Sequence, residues 1–90
     1  MITAVVTTTS VYLLDLDRSR VRRIPGAPTA EAALATLRKD DEWVPLVSLL
    51  HLQVGDPMEV IVDVTGGDVS TYRVTTPVRH IGQIPHQEAP

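Results

Sequence analysis

Residues 10–16 read Ser-Val-Tyr-Leu-Leu-Asp-Leu. An extended strand there places Tyr12, Leu14 and Leu16 on one face and Val11, Leu13 and Asp15 on the other. Both faces are largely apolar, so the strand must be covered on both sides. That single requirement points to a sheet rolled around a core rather than to one open layer.

The flanking segments fit. Residues 2–8 are β-branched at almost every position, which predicts a strand. Asp17-Arg18-Ser19-Arg20 forms a turn through side chains that bond their own backbone, and residues 21–24 return, giving a hairpin over residues 10–24. Pro25-Gly26-Ala27-Pro28 stops it. Thr29 then caps a short helix over residues 29–39. Glu31 lies in its first turn, Ala30, Ala33, Leu34 and Leu37 share one face, and Arg38 and Lys39 close it.

Residues 43–53 are apolar without a clear period. Pro45 disfavours an interior strand position, so the strand is placed at residues 46–52. Gly55-Asp56-Pro57 is a turn, and residues 58–64 and 69–76 form a second hairpin around Gly66-Gly67-Asp68. Two registers compete. A two-residue Gly66-Gly67 loop pairs Glu59 with Val74 and Val60 with Arg73. A three-residue loop pairs Val62 with Tyr72 and Val60 with Val74. The second puts Met58, Val60, Val62, Val64, Tyr72 and Val74 on one face, separates apolar from polar, and is the expected register. Residues 78–81 continue after Pro77.

With no Phe, one Trp and two Tyr, the core must be built from Val, Leu, Ile and Ala, whose thin layers suit a sheet packed on a sheet or a barrel. The expected fold class is mainly β: a small barrel or rolled antiparallel sheet of about six strands with one short helix. Ninety residues make a single domain, assigned to residues 1–82, with a polar tail over residues 83–90. A chain this short buries only roughly 60–65% of its unfolded surface, so a partner subunit would add considerably.

The net charge of −3 argues against bulk, non-specific nucleic-acid binding. The absence of cysteine excludes a disulfide framework and a zinc ribbon and fits a cytoplasmic location. No membrane association is expected: residues 46–52 are too few to span a bilayer, and the first residues lack a basic leader.

Motifs for chemistry fail one by one. Asp15-Leu16-Asp17-Arg18-Ser19 opens like a calcium loop, but the required Gly and bidentate Glu are replaced by Arg20 and Gly26. His51, His80 and His86 carry no metal-ligand spacing, and His51 reads as a satisfied, partly buried imidazole. Neither G-x-S-x-G nor S-x-x-K occurs, and Gly66-Gly67 is too short for a phosphate loop. No catalytic residue, cofactor or metal site is expected.

Two features remain. Arg18, Arg20, Arg22 and Arg23 are half of the eight Lys and Arg residues, gathered within six positions. They could hold phosphates or an acidic partner, although Asp15 and Asp17 lie beside them and no aromatic interleaves them. Tyr12, Trp43 and Tyr72 are candidate interface anchors.

Two resemblances follow, the first over most of the chain and the second local. Thr8-Thr9-Ser10-Val11-Tyr12-Leu13-Leu14-Asp15-Leu16-Asp17, Arg22-Arg23, Trp43, Val54-Gly55-Asp56-Pro57-Met58 and Thr75-Thr76-Pro77-Val78 together resemble a group of short actinobacterial and actinophage proteins without established function. This implies a small β domain in a phage or mobile-element setting. Residues 52–62 are similar to the final hairpin of swapped-hairpin DNA-binding regulators of antitoxin type, which implies a dimer. The preceding segment, with Pro45, Ser48 and His51, has no Arg or Lys to read DNA. The expected function is a non-catalytic interaction module binding itself or a protein partner. The alternative is a nucleic-acid accessory protein using Arg18–Arg23.

Overall fold

A computed structural model describes residues 2–26, 43–63 and 70–84. Among them six strands run antiparallel in chain order: β1 (Ile2–Thr7), β2 (Ser10–Asp15), β3 (Arg20–Pro25), β4 (Val44–His51), β5 (Pro57–Val62) and β6 (Thr71–Ile84). Each pairs with the next, and β1 pairs with β6 from Ile2↔Ile84 onwards, so the sheet closes into a barrel. The mainly β expectation holds. The helix expected over residues 29–39, the Gly66-Gly67-Asp68 loop and residues 85–90 lie outside the described residues.

Strand β2 is covered on both sides as its pattern demands. Tyr12 and Leu14 face the lumen, where Leu14 joins Val5, Val21, Leu46, Met58, Val60, Val62 and Val78 in the main core. Val11 and Leu13 face outward into a second cluster with Ile2, Ala4 and Ile24, flanked by Val6 and Trp43. The β1–β2 link is tied by one side chain. Thr7 Oγ1 donates to the Ser10 carbonyl at 3.0 Å and accepts from the Ser10 amide at 3.2 Å.

Strand β4 explains its missing period. Its pairing with β5 shifts between Leu46 and Ser48 and again between Leu49 and His51. Each bulge adds one residue, turning a two-residue repeat into a three-residue one. Leu46, Leu49 and Leu52 therefore pack on the lumen core, while Val47 and Leu50 are exposed. Pro45 does lie within the strand. Its carbonyl accepts the Asp63 amide at 3.0 Å, while β3–β4 pairing is confined to Arg20↔Pro45 and Val21↔Val44.

The β5–β6 register corrects the expectation. Glu59 pairs with Val74, Val60 with Arg73, Ile61 with Tyr72 and Val62 with Thr71, the register of the shorter loop. A one-residue slip moves every side chain to the other face. Tyr72 and Val74 are consequently outside, and Thr71 and Arg73 share the lumen face with Val62 and Val60. Polar bonds hold this alignment. Tyr72 donates its hydroxyl to Glu59 Oε1 at 2.8 Å, and the Met58 amide donates to Thr75 Oγ1 at 3.0 Å. Pro57 and Pro77 face each other across the ladder, so the two residues lacking an N–H occupy one pair. Just beyond that pair, the Gly55 amide donates to the Val78 carbonyl at 2.8 Å and the Val78 amide donates to the Asp56 carbonyl at 2.9 Å. Strand β6 runs through Pro77 to Ile84, so Gln83 is still paired, with Thr3.

Candidate functional site

The four clustered arginines do not act as one patch. Arg18 lies in the β2–β3 turn, and Arg20 and Arg22 are on the outer face of β3, opposite Asp15 and Leu13. Arg23 points the other way, paired with the lumen-facing Tyr12. Asp15 is only 1% exposed. It accepts hydrogen bonds from Arg20 Nε at 3.0 Å and from an Arg18 terminal nitrogen at 3.4 Å. Burial alone would raise its carboxyl pKa. The Arg20 and Arg18 hydrogen bonds and the Arg20 charge outweigh that and hold it below the ordinary value. The Arg20 guanidinium also stacks over Trp43, 4.3 Å from the ring centre. Arg22 is buried, 8% exposed. Three of the four are thus engaged in the hairpin.

The candidate anchors separate as well. Tyr12 packs on the lumen core and Trp43 on the outer cluster. Tyr72 stands on the barrel surface, 56% exposed, with its hydroxyl pKa raised mainly by the hydrogen bond to Glu59. Around it the outer face of β4, β5 and the first part of β6 carries Val47, Leu50 and Val74, each at least half exposed, with Ile61 half-buried in register with Tyr72. Polar groups sit within this face: Glu59, in register with His51 on one side and Val74 on the other, accepts from the Tyr72 hydroxyl, and His51 Nε2 lies 2.9 Å from Asp56 Oδ2. His51 is therefore bonded and partly buried, as expected.

A cavity of about 420 Å³ opens where β3 and β4 diverge past Val21↔Val44. Val21, Val44, Val60 and Val62 form its apolar wall; Arg23 and Arg73 also line it. The sequence reading missed this site because it placed Arg73 on the outer face. Likewise the outer apolar face went unread, although the spacing of Leu46, Leu49 and Leu52 carried its signal.

Among the described residues no group of three or more His, Asp or Glu side chains converges as a metal site. No helix there is long and apolar enough to cross a membrane. His80 is exposed on β6, and His86 lies outside the described residues. No family model, curated protein or solved structure matches the chain.

Proposed function

We propose that this chain is a non-catalytic interaction module that self-associates through the outer face of β4, β5 and the first part of β6. The observation that carries the reading is that Val47, Leu50, Tyr72 and Val74, 50–56% exposed, lie on β4 and β6 on either side of β5, where half-buried Ile61 is in register with Tyr72. Scattered exposed apolar residues are ordinary, whereas a contiguous set marks an interaction surface.

A second copy of the chain is the favoured partner. A twofold contact sets a surface against itself, so unsatisfied charges there would repel. Here Glu59 is bonded to Tyr72 and His51 to Asp56 within the chain. The Tyr72 hydroxyl gives Glu59 a hydrogen bond but no compensating charge, so a twofold contact must keep Glu59 clear of its own symmetry mate. The thin core of a 90-residue chain adds a thermodynamic reason to associate. The sequence resemblance supplies the setting, a phage or mobile-element accessory or structural protein, and the cysteine-free sequence suits a cytoplasmic location.

The nucleic-acid alternative draws less support. Asp15 holds Arg18 and Arg20, and Arg22 is buried. Sedimentation equilibrium of the wild type against a Val47→Ser, Val74→Ser double variant tests the proposal. The wild type is expected to be a dimer and the folded variant to dissociate at least tenfold more readily. Equal masses at every concentration would refute it.

A further inference from the structure

We infer that the cavity between β3, β4, β5 and β6 binds a small amphipathic carboxylate. Its apolar body would lie against Val21, Val44, Val60 and Val62 and its head between Arg23 and Arg73.

The barrel geometry creates the site. β3 pairs with β2 as far as Pro25, but with β4 only as far as Val21 in the opposite direction of the ladder. Arg23 therefore faces the lumen with no β4 residue across from it. Arg73 approaches from another wall, on the lumen face because Val60 is its register partner. Both arginines are exposed at the open mouth of the cavity, where their guanidiniums stay solvated and free to meet the anionic head of a ligand. Among the described residues, none provides a hydrogen bond or ion pair to Arg23 or Arg73, and no Asp or Glu lines the cavity.

Two guanidiniums offer forked donors that match a carboxylate, and Thr75 and Thr76 add hydroxyls to the same lining. The valines give the body of the ligand an apolar surface to rest against. A volume of about 420 Å³ lies within the range of small-molecule sites, roughly 300–1,000 Å³. Apolar wall and cationic mouth together select against both a bare anion and a neutral hydrocarbon. Val74 lines the rim of this cavity as well as the outer face of β4–β6, but the substitutions that test the site, at Arg23 and Arg73, lie off that face and so read it apart from self-association.

The test is titration of the ¹⁵N-labelled protein with octanoate, with octan-1-ol and inorganic phosphate as controls. Octanoate is expected to saturate one site per chain and to shift the amides of Val21, Val44, Val60 and Arg73. Octanol and phosphate are each expected to bind at least tenfold more weakly. An Arg23→Gln, Arg73→Gln double variant that keeps its thermal transition is expected to lose at least tenfold in octanoate affinity. Should that variant unfold, the single change Arg73→Glu at an exposed position is expected to abolish binding. Unchanged affinity in either folded variant, octanol binding as tightly as octanoate, or no localised shifts at millimolar octanoate would overturn the inference.

Discussion

Arg20 lies over Trp43, its guanidinium carbon 4.3 Å from the ring centre, while its Nε holds the buried carboxylate of Asp15 at 3.0 Å. One side chain thus links the β2–β3 hairpin to the start of β4. Arg20→Ala removes the stack and leaves Asp15 with only the longer Arg18 contact. Removing one partner of a buried pair costs 3–5 kcal/mol, but Arg20 is a third exposed, so a loss of about 2 kcal/mol is expected. Urea denaturation measures it; a loss below about 0.5 kcal/mol would show the bridge to be ornamental.

The depressed Asp15 pKa makes a second expectation, about acid. Its stabilising contribution is fully present above the unfolded value of about 3.8 and is lost as pH falls through the lower folded value. Wild-type stability should therefore drop below about pH 4. Asp15→Asn should start less stable at pH 7 and lose less over the same range. Parallel stability–pH curves for the two proteins would contradict the assignment.

Packing separates core from surface sharply. Met58 is fully buried in the lumen, and Met58→Ala should cost about 2–5 kcal/mol. Leu50 is half exposed, and Leu50→Ala should change the stability of the isolated chain by no more than about 0.5 kcal/mol. Thermal or urea unfolding at low protein concentration distinguishes them. Similar costs would mean that Leu50 is not on a free face.

Backbone conformation gives a fourth test at Ser19, which ends the β2–β3 turn with φ of +52°. A left-handed residue favours glycine and disfavours β-branching. Ser19→Gly is expected to stabilise by up to about 1 kcal/mol and Ser19→Val to destabilise by about 1–2 kcal/mol. The order Gly, Ser, Val in urea midpoint checks this; a reversed order would contradict it.

The β2–β3 half of the barrel was legible because period-two alternation and a four-residue turn are both local signals. Val11, Leu13, Tyr12 and Leu14 fell on the two covered faces that their spacing implies. The β4–β6 half was less so. Two bulges hid the alternation of β4, and the β5–β6 register is not the one that apolar matching favours. Sequence patterning favoured Tyr72 and Val74 inside. The lumen already holds Met58, Val60, Val62 and Val78, and the Tyr72–Glu59 bond is available only on the outside. The arginine cluster was visible as four letters, but its division between two faces of β3 depended on register. The cavity followed from that same register and from the short β3–β4 ladder, neither of which is written in any single segment.

Light scattering during gel filtration, at low and moderate salt and with and without a short DNA duplex, tests self-association most directly. The expected result is a species of twice 9.8 kDa or a higher multiple, unchanged by salt and indifferent to DNA. A 9.8 kDa monomer at every concentration, or one that co-elutes with DNA at low salt, would contradict it.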